Sequence, residues 1–175
     1  MISEHSPIRL LEVDWSWQDI PSWVSVHWSR HKHEKFVSTQ RDDRKEHDIS
    51  RSEMPQGALV NMDNYANMQQ LIDIFRKRLC GQVSPETRKL AEDFKAALHK
   101  EHPEMADVLV PNCIYRCGCP EFESCGYFEK LKNIILGGAP DLIFDKEMAG
   151  KMLDISYRYN VYNQYFYYKH KSEEE

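Results

Sequence analysis

Apolar and polar positions alternate over residues 8–17, IRLLEVDWSW, with Leu11, Val13, Trp15 and Trp17 on one face and Glu12, Asp14 and Ser16 on the other. A period of two in a run rich in aromatics predicts a half-buried strand. The period then lengthens. In PSWVSVHWSRH, residues 21–31, Trp23, Val24, His27, Trp28 and His31 recur at three- and four-residue spacings. This predicts a short helix with Asp19 as N-cap and Pro21 in its first turn, its rings packed against the strand. A stronger helical period starts at Asn64, where NYANMQQLIDIFRKRLC places Tyr65, Met68, Leu71, Ile72, Phe75 and Leu79 on one stripe. Gly81 is expected to end it as a glycine cap. Ser84, Pro85 and Glu86 then read as N-cap, first residue and first-turn acid of another helix, with the stripe Leu90, Ala91, Phe94, Ala97 and Leu98 and the EHP at 101–103 as its stop.

Beyond it, residues 105–110 and YFEKLKNIIL read as two further helical pieces, the second ended by Gly137 and Gly138. Six of the nine tyrosines fall in residues 152–168, MLDISYRYNVYNQYFYY, a stretch suited to covering a core or a subunit contact, or to stacking on bases or a cofactor. The terminal KHKSEEE is expected to fray. The elements add up to an α+β chain, a small antiparallel sheet packed with several long helices.

Composition narrows the function classes. The 41% apolar and 29% charged fractions of the 175 residues are those of an ordinary globular protein. A net charge of −5 supplies no global basic field, so neither nucleic acid nor an anionic membrane is indicated as a partner. No apolar run approaches the ~20 residues of a membrane span, and MISEHSPIRL lacks the pattern of a signal peptide. The expectation is a cytoplasmic protein.

Any anion site must therefore be local. The triplet Arg76, Lys77, Arg78 stands at the end of the stripe helix, where cations suit the helix dipole and also stand ready for an anion. Residues 30–51 hold seven Lys/Arg, three His and five acids. This reads either as a solvated charged loop or as a phosphate wrap, in which Arg41 supplies bidentate contacts and Ser38, Thr39 and Gln40 neutral donors.

Cys113, Cys117, Cys119 and Cys125 are spaced C-x3-C-x-C-x5-C, with Gly118 and Pro120 allowing tight turns. Four thiolates so close suit a tetrahedral zinc; an iron–sulfur cluster and unligated thiols are the alternatives. The fifth, Cys80 at the end of the stripe helix, is a small apolar core residue, or a substitute for Cys117 if the helix end faces this segment.

From Trp28, Ser29, Arg30, His31 and Lys32 onward, the chain resembles the flavin-dependent thymidylate synthase family, whose signature opens Arg-His-Arg. Arg51-Ser-Glu-Met-Pro55 is similar to the family's Arg-x-x-Leu-Pro, Tyr65-Ala66-Asn67 to its Val-Asn-Ala segment, and Arg78 to its Arg after the Asn-containing helix. The resemblance covers roughly residues 10–110 and implies the division into a core, 1–110, and a Cys-rich and tyrosine-rich extension, 111–175. It implies one-carbon transfer to C5 of dUMP with FAD as cofactor and methylenetetrahydrofolate as donor, in a homo-oligomer, a tetramer in the family, with a shared site. Ser38, Thr39, Gln40, Arg41, Arg51 and Arg78 would then hold dUMP or a related pyrimidine nucleotide, and Arg30, His31, Lys32, Asn67 and Gln82 the flavin. Two positions depart from the pattern: Gln82 stands where the family has a flavin-contacting His, and Asp73 where it has an Asn. A nucleotide-binding protein without flavin chemistry and a zinc-containing interaction module are the two other readings.

Overall fold

The structure is a computed structural model that describes residues 2–38, 50–135 and 146–174. The described residues form an α+β chain of a three-stranded antiparallel sheet and eight α-helices, in two compact units, Ser6–Gln70 and Met1–His5 with Leu71–Glu175. No described helix is long and apolar enough to cross a membrane.

In the unit Ser6–Gln70, strand β1 spans Glu12–Pro21, helix α1 Ser22–Ser29, β2 Glu34–Val37 and β3 Leu59–Asn67. β3 is central, paired with β1 on one side and β2 on the other. The outward face of β1 is the expected one, with Glu12, Asp14 and Ser16 exposed. Val24 and Trp28 of α1 are fully buried, and the Trp28 ring meets that of Trp17 at 4.5 Å between centroids, so the predicted packing of helix rings on the strand holds there. Trp23 is only half-buried, edge-on to His27.

Three expectations are corrected here. β1 runs on to Pro21, and Asp19 is no N-cap. It sits at an irregularity in the pairing between Trp17 and Ile20, with φ 54°, and its N–H donates to Oδ1 of Asn61 at 3.0 Å. Pro21 takes the N-cap position of a helix that begins at Ser22. Secondly, residues 34–37 belong to the sheet rather than to a charged loop. Thirdly, residues 64–67 are strand and not helix. Tyr65 therefore leaves the apolar stripe for the outer face of β3, opposite Asp14 on β1 and Glu34 on β2. Its hydroxyl is pushed up to about 12, first by the hydrogen bond to Glu12 and then by burial and the surrounding acids.

The switch from β3 to α2, Met68–Arg78, is made by one reciprocal pair. Oδ1 of Asn67 accepts from the Gln70 N–H at 3.0 Å, and Oε1 of Gln70 accepts from the Asn67 N–H at 2.9 Å. This is a capping box, satisfying orphan donors from both sides.

The unit containing Leu71–Glu175 is helical: α3 Pro85–Glu101, α4 Pro103–Ala106, α5 Asn112–Arg116, α6 Tyr127–Ile135, α7 Lys146–Leu153 and α8 Ile155–Glu174 follow the rest of α2. Leu71, Ile72, Phe75 and Leu79 of the predicted stripe are buried, and Phe75 meets Phe94 of α3 at 4.9 Å. Ser84 and Pro85 hold the expected places at the start of α3, although the Ser84 hydroxyl goes to Thr87 rather than to a backbone N–H. Ala97 is exposed, and Lys95 is fully buried instead. Tyr159 and Tyr162 of α8 are core residues, and the helix continues to Glu174 through the tail expected to fray. The Gly137–Gly138 stop lies outside the described residues.

Candidate functional site

The three cations that end α2 are placed differently. The Arg76 guanidinium is locked: it pairs with Glu4 and Asp73, and lies over the Tyr115 ring, 3.6 Å from its centroid. Lys77 is exposed, and Arg78 is half-buried. All three line a cavity of about 360 Å³ within the Leu71–Glu175 unit.

Cysteine sulfurs share that cavity. Cys80, from the turn after α2, and Cys113, from α5, line it together with Cys119 and Cys125 from the loop before α6. Burial pushes the Cys113 thiol up to about 12, and the neighbouring Cys80, Cys125 and Cys119 add to it. Cys80 is also raised, mainly by burial, while the backbone N–H of Gln82 on its sulfur works the other way. Cys117 is elsewhere. It ends α5 in the left-handed region at φ 57°, and its Sγ donates to the carbonyl of Met152 at 3.2 Å. Gly81 is not among the positive-φ residues, so it is no left-handed cap. A Cβ there would fall 2.7 Å from Sγ of Cys125. The glycine is needed for close approach.

Most residues expected to face the flavin are in the Ser6–Gln70 unit. Arg30 and Lys32 are exposed and His31 half-buried in the turn after α1. Gln70, which sequence reasoning did not single out, ties this turn to Asn67, since its Nε2 donates to the Lys32 carbonyl at 3.1 Å while its Oε1 holds the Asn67 N–H. Beside them His33 is buried, 3.0 Å from Oδ1 of Asn64 through Nε2 and stacked on Trp15. Burial holds its pKa below the usual histidine range, so the neutral ring donates to Asn64 at pH 7. Gln82 is in the other unit, exposed, with its amide donating to the Glu123 carbonyl at 2.7 Å.

Of the expected phosphate ligands, Ser38 follows β2 directly, and its Oγ accepts from the Asn61 N–H at 2.9 Å. Thr39, Gln40, Arg41 and the Arg51 side chain lie outside the described residues. The outer face of the sheet carries a second depression, of about 450 Å³, lined by Asp14, Glu34 and Asp63 with Trp15 and Phe36. It is larger but acidic, and a phosphate is repelled there. The cationic end of α2 is the better anion site.

Comparison with family models, curated proteins and solved structures returns no match for the chain.

Proposed function

We propose that the chain is a diverged FAD-dependent thymidylate synthase-like enzyme, transferring a one-carbon unit from methylenetetrahydrofolate to C5 of dUMP by methylation or hydroxymethylation, as a homo-oligomer. The observation that carries this reading is the placement of Arg78. It is delivered by α2, the helix that Asn67 caps, is half-buried, and lines a cavity beside the exposed Lys77. A nucleotide phosphate or a uracil anion in such a place would be neutralised by the guanidinium.

The residues fit a flavin in part. Arg30 and Lys32 are exposed cations suited to its pyrophosphate, whereas the side chains of Asn67 and Gln82 are engaged with Gln70 and Glu123. A bound reduced flavin would supply the two electrons that methylation needs, whereas hydroxymethylation needs none. The chain's own share is to hold dUMP and exclude water, with positioning and electrostatics in place of a side-chain nucleophile. The engagement of Asn67 and Gln82 favours one second reading, a pyrimidine nucleotide-binding protein that has given up flavin chemistry.

Both readings require dUMP binding. Calorimetric titration of the full chain with dUMP, without flavin, should show saturable binding that Arg78→Ala weakens. No binding to the wild-type chain would contradict both.

A further inference from the structure

We propose that Cys80, Cys113, Cys119 and Cys125 form a structural zinc site, with Cys80 in the place that sequence proximity gives to Cys117. The four residues come from three separate pieces of chain, the turn after α2, helix α5 and the loop before α6, yet all four line one cavity. Cys117 does not line it. Its backbone is turned into the left-handed region and its thiol is spent on Met152.

One close approach shows the local chain shaped around these sulfurs. Gly81 leaves room for Sγ of Cys125 against the backbone next to Cys80, at a distance no side chain allows.

The donor set selects the ion. Four thiolates fill a tetrahedral shell around a soft-tolerant, redox-inert cation, which is the structural zinc pattern rather than a catalytic one. Four thiolates and one Zn2+ leave a double negative charge, and the exposed Lys77 on the same cavity offsets part of it. Among the described residues, no three His, Cys, Asp or Glu side chains already stand gathered for a metal. The site therefore requires the ion to draw its four sulfurs together, as happens where metal binding and local folding are coupled. Once closed, it staples the end of α2 to α5 and to the start of α6.

The test is elemental analysis of the full chain purified under reducing conditions and equilibrated with zinc. The wild type should hold about one zinc per chain; Cys80→Ser should lose it and Cys117→Ser should keep it. No zinc uptake, iron in its place, or loss in Cys117→Ser with retention in Cys80→Ser would each overturn the proposal. Should Cys80→Ser fail to fold, alkylation with peptide mapping of the wild type decides. Chelation should raise labelling at Cys80, Cys113, Cys119 and Cys125 and leave Cys117 unchanged. A chelator-dependent change at Cys117 but not at Cys80 would overturn the assignment.

Discussion

A Cβ on Gly81 would lie 2.7 Å from Sγ of Cys125 and 3.3 Å from its Cβ. Because the Gly81 backbone is not in the left-handed region, alanine there meets no conformational penalty and loses less entropy on folding, a gain of roughly 0.5 kcal/mol. The clash works against that gain. Overpacking of this kind costs about 1–3 kcal/mol, so Gly81→Ala should be a net loss of about 0.5–2.5 kcal/mol. Urea titration checks it, with Cys125→Ala as the second arm of a double-mutant cycle. The cost should shrink in the Cys125→Ala background, and an equal cost in both would remove the contact as its cause.

This pair also shows what the sequence reveals. The stripe of α2 was legible because Leu71, Ile72, Phe75 and Leu79 follow a single helical period into the core. The start of α2 was not, because the inward positions of β3 are Val60, Met62, Asn64 and Ala66. A buried Asn and a small Ala hide the alternation, and Asn64 is tolerated there only because His33 and the Met62 carbonyl satisfy its amide. β2 was missed for a simpler reason: it is four residues long inside a charged run, and Phe36 points outward. The cysteines were legible as a group. Which of the five share a cavity depends on the turn after α2, and no spacing rule contains that.

Arg158 is buried in α8 and acts as a C-terminal cap for two helices at once. Its guanidinium donates to the carbonyls of Ile114 and Tyr115 in α5 and of Met152 and Leu153 at the end of α7, at 2.7–2.9 Å. A cation at helix C-termini is favoured by the dipoles, and its removal leaves several carbonyls without a donor. Arg158→Ala should cost about 2–4 kcal/mol, seen as a lower denaturation midpoint. A loss under about 0.5 kcal/mol, the usual range for an unimportant site, would contradict this role.

Lys95 makes stability depend on pH. Its ammonium is buried between the Ala106 carbonyl and Oδ1 of Asn163, 2.6 and 2.8 Å away, and burial brings its pKa down to about 7, with Asp107 opposing. Between that value and its ordinary one near 10.4, the unfolded chain binds more protons than the folded one, so stability rises with pH. The slope from this one group is at most about 1.4 kcal/mol per pH unit. The window for this group is therefore about pH 7 to 10. Unfolding midpoints across it should climb in the wild type relative to Lys95→Met, and parallel curves for the two would refute the assignment.

Arg78→Ala should weaken dUMP binding by about 2–4 kcal/mol if the guanidinium pairs with a desolvated anion. An unchanged dissociation constant would remove Arg78 from the site. Lys77→Ala is the control: exposed and solvated, it should alter affinity by under about 1 kcal/mol.

The central claim is flavin-dependent chemistry on a pyrimidine nucleotide. Its most direct test is the absorbance spectrum of the purified chain dialysed after addition of FAD, with and without dUMP. Retained flavin, with bands that sharpen when dUMP is present, is expected of such an enzyme. A colourless protein after dialysis under both conditions would contradict it.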